Sequence, residues 1–293
     1  MIASLPRSAG LRTATGLYVA AFLIFLFLPL TIVAVFAFND APYPAPPWRG
    51  FTLDWFTGNE TSGRVGLFHD AALLGSIWTS VVVACWVTAL SVAVGTANAF
   101  LMERYRFPGK EALSVLMLTP LVIPGVILGI SILSLSSRIA DLVLALFDVD
   151  LDFLRPGLPL VVLGQFSYIA TIATLMVSAR LKQFDRTLEE AALNLGASHA
   201  AVLRTITFPY LRPALIGSAA ISFLMSFENF NTTLMLVGAD PPLTVMMYGR
   251  MREGATPVLN AVSLFLMLAS ALLALTLMRG RSRVAAASAP PAA

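Results

Sequence analysis

Apolar stretches without a single Asp, Glu, Lys or Arg recur along the chain, separated by short polar segments. A helix needs roughly 20 such residues to cross about 30 Å of hydrocarbon. Six runs meet that need: 17–38, 71–102, 112–137, 156–179, 213–239 (interrupted by Glu228) and 254–278. The strict alternation of a barrel strand is absent, and lipid cannot satisfy open strand edges, so each run is predicted to be a helix. The expected fold class is an all-α membrane protein with six transmembrane helices.

Composition agrees. Of 293 residues, 58% are hydrophobic and 12% charged. A soluble body of this size carries about a quarter charged residues. A disordered chain, a disulfide scaffold and an ordinary cytosolic enzyme are therefore excluded. The single cysteine, Cys85, lies inside an apolar run. A formal charge of +3 gives no case for nucleic acid as a partner, but its distribution is informative. Thirteen of the nineteen Lys and Arg fall in the two tails and in the connections 102–111 and 180–212. Positive charge stays inside, so both termini are expected to be cytoplasmic. Arg7 and Arg12 precede the first run, whose 22 residues exceed a signal-peptide core, so it is read as an uncleaved span.

This gives a cytoplasmic tail (1–16), a first span (17–38) and a periplasmic connection (39–70). A five-span core (71–279) carries the connection 180–212, and a disordered Ala/Pro/Ser-rich cytoplasmic tail (280–293) ends the chain. The first external connection holds Pro42, Pro44, Pro46 and Pro47, then Trp48, Phe51, Trp55 and Phe56. Proline favours an extended path, and the aromatics suit the headgroup layer of membrane lipid. An amphipathic piece, Ile139–Phe147, is expected to lie flat in the second external connection.

The connection 180–212 does not read as a tie. Thr187 and Glu190, three apart, form a predicted capping box, and Leu188, Ala191, Ala192 and Leu195 recur at helical spacing. Gly196 stands where a left-handed cap is needed. Ser198 is expected to cap a second helix with Val202, Leu203 and Ile206, which Pro209 ends before Pro213 opens the fifth span. Such an element is either a hairpin on the membrane surface or a docking knob whose small Ala191–Ala192 face enters a partner's groove.

The spacing Glu190-Ala191-Ala192, three residues, Gly196, nine residues, Ile206, one residue, Phe208-Pro209 resembles the EAA loop of ABC importer permeases. Phe208 stands where Leu is usual. Arg104-Tyr-Arg-Phe-Pro-Gly-Lys110, Thr119-Pro-Leu-Val-Ile-Pro124 and Leu181-Lys-Gln-Phe-Asp185 are similar to further stretches of that family, most of all in its spermidine/putrescine-type members. The resemblance covers roughly 71–277. It implies the type I importer permease fold, in a bacterial inner membrane. It implies Glu190, Ala191, Ala192, Gly196, Ile206 and Pro209 as ATPase-coupling residues. It also implies a second, different permease subunit, two ATP-binding cassette subunits and a periplasmic solute-binding protein.

The chain has no phosphate-cradling G-x-x-x-x-G-K-[ST], so it is expected to bind no cofactor, with ATP and Mg2+ on the partner ATPase. There is no H-E-x-x-H and no cysteine cluster, so no metal site is expected. His69 and His199 read as solvated surface residues, and no nucleophile–base pair stands out, so the chain is not read as an enzyme.

Polar residues inside the spans are the candidate passage. Glu228 is acidic within the fifth run, where an ionised group costs roughly 2.5–3.5 kcal/mol at a helix centre. Asn229 follows it, and Asn98, Gln165 and Tyr168 lie in other spans. Two readings stand: amides that bind helices together, or a lining for a cationic solute. Pro120 and Pro124 interrupt the third run, as a static kink or as the bend of a gate helix. Gly95 and Ala99 permit a close helix contact, internal or between permeases. The expected function is alternating-access import of a small solute, a polyamine by preference and another organic solute as the alternative. The rival class is an ion-coupled secondary transporter, which calls for inverted repeats and several intramembrane ionisable groups.

Overall fold

A computed structural model describes residues 9–59, 63–254 and 256–287. Among these residues the chain is almost entirely helical: α1 (Ala9–Phe36), α2 (Asp54–Thr57), α3 (Ala71–Arg104), α4 (Lys110–Val122), α5 (Gly125–Phe147), α6 (Leu158–Lys182), α7 (Thr187–Asn194), α8 (His199–Val202), α9 (Phe208–Phe227), α10 (Asn231–Leu236), α11 (Leu243–Gly254) and α12 (Val258–Ala287). Among the described residues, five continuous helices are long and apolar enough to span a bilayer, and α12 opens with a further apolar stretch, Val258–Leu272.

One compact unit joins the chain up to Ala71 with the chain from Arg250. In it α1 is apolar and exposed along most of its length, with Phe22, Phe25 and Phe27 more than half accessible. A helix of that kind belongs in lipid or against a partner. The proline-rich connection is not merely extended. Buried Asn39 organises it: its Oδ1 accepts from the Arg49 N–H at 2.8 Å, its Nδ2 donates to the Pro47 carbonyl at 3.2 Å, and its own carbonyl accepts from Trp55 Nε1 at 2.8 Å. Phe38 stacks on Phe51 at 5.3 Å, and Arg64 pairs with Asp40.

The second unit runs from Ala72 to Gly249. Its centre is α6, whose Leu160, Val161, Ile169, Ala173 and Val177 are buried. Gly95 of α3 lies against it. A Cβ there would meet Ala173 Cβ at 2.7 Å and the Thr174 amide nitrogen at 2.9 Å, so the glycine serves internal packing.

Several expected elements differ in this structure. The third run is not one helix. Pro124 forces Ile123 to an extended conformation (φ −76°, ψ 129°), which ends α4, and α5 starts afresh at Gly125. Pro120 is accommodated inside α4. The piece 139–147 is the last part of α5, which stops only at Asp148 (φ 52°), so no separate flat helix forms. The fifth run is also divided: α9 ends at Phe227, and Glu228 caps its end instead of lying inside a helix.

Pro209 does not end the second short helix. From His199 to Phe227 the chain is continuously helical, because a wide π turn over 203–207 precedes the proline. There the Phe208 N–H donates to the Leu203 carbonyl, five residues back. The wide turn absorbs the donor that proline lacks and the room its ring needs. The stretch after residue 242 folds into α11, and α12 starts at Val258, four residues beyond the expected start. Its helix continues to Ala287, since Ala-rich 285–287 favours helix, and so enters the tail expected to be disordered. Residues 1–8 and 288–293 of the two expected tails lie outside the described residues.

Candidate coupling helix and solute passage

The connection after α6 builds a short exposed helix. Its N-terminus is capped by Asp185, not by a Thr187–Glu190 box. Asp185 Oδ1 accepts from the Thr187 backbone N–H at 3.0 Å and from the Thr187 hydroxyl at 2.8 Å. These two hydrogen bonds stabilise the ionised form and hold the Asp185 carboxyl below its ordinary range. Thr187 is thus a donor within the first turn, and Glu190 is left exposed.

The C-terminus follows the sequence expectation. Gly196 is left-handed (φ +90°), and the Gly196 and Ala197 N–H groups donate to the Leu193 and Ala192 carbonyls. Ser198 Oγ accepts from the Ala201 N–H at 3.2 Å and caps α8. Leu188, Ala191 and Leu195 are exposed, Leu195 at 89%, and Ala192 is half-buried. Ile206 packs with the buried cluster of Ala99, Val177, Leu181, Phe184 and Leu211, while Pro209 is exposed.

What fixes α7 to the body is Glu189, the neighbour of the residue singled out from the spacing. Arg104, the last residue of α3, donates to both Glu189 carboxylate oxygens at 2.7 and 2.8 Å. The Thr207 hydroxyl donates to Glu189 Oε1. Arg186 donates to the Glu103 carbonyl at 2.6 Å. No local pattern marks these partners, which lie 85 and 18 residues from Glu189.

A second polar cluster lies where α9 breaks. Buried Gln165 of α6 donates to Thr233 Oγ1 at 2.8 Å and accepts from the Ser226 hydroxyl. Asn229 donates to the Tyr168 hydroxyl at 2.5 Å, and its Oδ1 accepts from the Thr233 hydroxyl at 2.8 Å. Thr244 of α11 donates to the Asn229 carbonyl at 2.8 Å. Thr232 donates to the carbonyl of Gly125, the residue after Pro124, at 3.3 Å.

The break between α9 and α10 is therefore tied to α6, to the start of α5 and to α11. Gly125, Gly129 and Gly164 let α10 approach closely: a Cβ at Gly129 would meet Met235 Cβ at 2.9 Å, and one at Gly164 would meet Leu236 Cδ1 at 2.2 Å. Gln165, Tyr168 and Asn229 thus come together, with Glu228 exposed beside them. Asn98 does not join them. It follows Gly95, which packs on Ala173, eight residues along α6 from Gln165. Thr233, which follows Glu228 in the same polar stretch, joins the cluster, and so do Ser226 and Thr244, which the polar stretch does not include. The spacing of Ser218, Ser222 and Ser226 on the buried face of α9 was the available signal.

The second unit thus carries a capped helix clamped to its bundle and a polar helix break within it. The description "Binding-protein-dependent transport system inner membrane component" matches residues 89–285, and the chain belongs to that family. It is 26% identical over 241 residues to the putrescine transport system permease protein PotI of Escherichia coli K12, covering 82% of this chain and 80% of the relative. It is 26% identical over 260 residues to the spermidine/putrescine permease PotC of the same organism, covering 88% and 90%. It is 30% identical over 195 residues to the sulfate permease CysT of Salmonella typhimurium, covering 64% and 69%. In fold it is similar to a chain of a bacterial ABC transporter that imports alginate (TM-score 0.72, 17% identity, 94% of this chain and 95% of that one). A chain of the MetNI methionine transporter is less similar (TM-score 0.52, 15% identity, 75% and 95%). The chain is an importer permease of the ABC class, spanning the membrane several times.

Proposed function

We propose that this chain passes a small organic cation of the polyamine class into the cytoplasm, powered by ATP hydrolysis on partner subunits. The observation that carries the solute class is the position of Glu228. It is exposed at the C-terminal end of α9, where the helix dipole already concentrates negative charge. Asn229 and Tyr168 sit beside it, and Phe230 and Tyr248 pack together one residue further on, at 4.9 Å between centroids. A carboxylate, a helix C-terminus and aromatic faces attract an ammonium group and repel an anion. The polyamine names of PotI and PotC support this reading. The sulfate relative lends weight to another solute.

The bacterial inner membrane is the proposed location, with both termini and α7 in the cytoplasm. The Lys/Arg distribution supports that orientation. The exposed face of α7 around Glu190, Ala191, Leu195 and Gly196 docks on the ATPase, and Ile206 and Pro209 carry its movement into α9. The proposed assembly has a second, different permease, two ATP-binding cassettes and a periplasmic solute-binding protein. This chain holds no cofactor, and ATP and Mg2+ reside on the ATPase. The break at Pro124, opposite the α9–α10 break, is the gate hinge, with Pro120 behind it.

Uptake of labelled putrescine, spermidine and sulfate by the assembled transporter tests the solute class. The expected result is ATP-dependent uptake of a polyamine, lowered in Glu228→Gln with assembly intact. Sulfate uptake, or parent-level polyamine uptake in Glu228→Gln, would contradict it.

A further inference from the structure

Two adjacent carboxylates on α7 face opposite ways. Glu190 is exposed, whereas the Glu189 side chain is only 18% accessible and points into the body of the second unit. There it meets Arg104, itself 15% accessible, in a two-pronged pair. The Arg104 guanidinium also lies over Phe184, at 5.4 Å, and over Phe100, at 6.0 Å. A planar guanidinium held by two aromatic faces and a carboxylate fork has one orientation, which lysine cannot reproduce.

The third member is Thr207. It is fully buried and lies in the wide turn that leads into α9. Val202 and Thr207, five residues apart, are both buried. In a regular helix that spacing separates two side chains by about 140°, whereas the wider π turn brings them to one face. The turn thus aims the Thr207 hydroxyl at Glu189. Thr207 lies within one unbroken helix of 29 residues, about 43 Å long, which runs from His199 to Phe227 and ends at the break at Glu228.

We propose that Arg104 is a positioning residue for transport. It locks α7 to the end of α3 and, through Glu189 and Thr207, to the helix that ends at the solute passage. This rests on the importer reading above, in which α7 receives the ATPase's movement. With the lock in place, α7 and the rod move as one body. Without it, α7 swings on its own caps and the movement is lost before it reaches α9.

The test has two arms. In the full chain in lipid nanodiscs, with Cys85→Ser, spin labels at Leu101→Cys on α3 and Leu195→Cys at the tip of the knob report their separation. A narrow distribution is expected for the parent, a broad one for Arg104→Ala and Thr207→Val, and an intermediate one for Arg104→Lys. Thr207→Val removes only a hydroxyl, so it keeps the test valid if Arg104→Ala does not fold. In the assembled transporter, solute taken up per ATP hydrolysed should fall roughly tenfold in the same variants, within the usual range of coupling between sites. Unchanged distributions overturn the lock, and a broadened distribution with unchanged uptake per ATP overturns its role in transport. If the parent assembly shows no ATP-driven uptake, the importer reading itself fails, and the distance arm still decides whether the lock exists.

Discussion

Replacing Gln165 by leucine tests whether the polar cluster holds the α9–α10 break in place. The side chain is 1% exposed, and its amide spans two elements: it donates to Thr233 at 2.8 Å and accepts from Ser226. Leucine fills a similar volume with no polar atom. A side-chain hydrogen bond within a membrane contributes about 0.6 kcal/mol on average and about 1.7 kcal/mol at most, so losing two costs about 1–3 kcal/mol. Two features lower the figure. Thr233 keeps Asn229 as an acceptor, and the Ser226 hydroxyl can turn back to the carbonyl one turn earlier. The expected loss is therefore about 1–2 kcal/mol, a five- to thirtyfold shift in the unfolding equilibrium. Reversible unfolding in mixed micelles, followed by tryptophan fluorescence, measures it. Gln165→Asn, one methylene shorter, should reach only one partner and lie between parent and leucine variant. A Gln165→Leu protein as stable as the parent would show that apolar packing alone fixes the break.

Gly95→Ala should destabilise the α3–α6 contact by about 1–3 kcal/mol in the same assay, because its Cβ meets α6 backbone that cannot step aside; parent stability would contradict this. Asp185→Ala should raise amide exchange in the first turn of α7 while Asp185→Asn preserves protection. The Asp185 carboxyl is held low in the folded chain, so its contribution is complete above the unfolded value and is lost as pH falls through the folded one. Protection of that turn that does not change on acidification would contradict the cap. At Gly196 a Cβ meets nothing within 4 Å, so the cost of Gly196→Val comes first from its left-handed backbone, at about 1–2 kcal/mol. It should distort the knob and lower ATP-driven uptake while the protein still reaches the membrane, and normal uptake by a stable variant would contradict this.

The spans were legible because one solvent dictates them. Hydrocarbon demands long apolar helices, and α3 and α6 appear within a few residues of where the charge-free runs lie, while α1 covers its run but starts eight residues earlier. The breaks were less legible. Pro120 and Pro124 carry the same chemistry, yet α4 accommodates the first and ends before the second, and only at the second does α10 approach through Thr232 and Gly125. Glu228 reads as lying inside a helix by counting residues, but the helix stops at Phe227, where Asn229 turns to Tyr168 and Thr233. Pro209 reads as a terminator because its missing donor is a local fact, whereas the π turn that absorbs it is visible only in three dimensions.

The knob shows the same division. Gly196 and Ser198 act through neighbours three residues away and are readable. The cap at the other end went to Asp185 because a carboxylate two residues earlier competes with Glu190 for the Thr187 groups. Arg104, Glu189 and Thr207 meet across three separate elements, so their spacing carries no signal.

The most direct test of the account is transport by purified components. The chain should be reconstituted into vesicles with its partner permease, ATPase and solute-binding protein, and in parallel alone. The account predicts solute accumulation only in the full assembly, only with ATP and Mg2+, and at a rate that does not respond to collapse of ion gradients. Uphill accumulation by the chain alone, driven by a proton or sodium gradient, would contradict it.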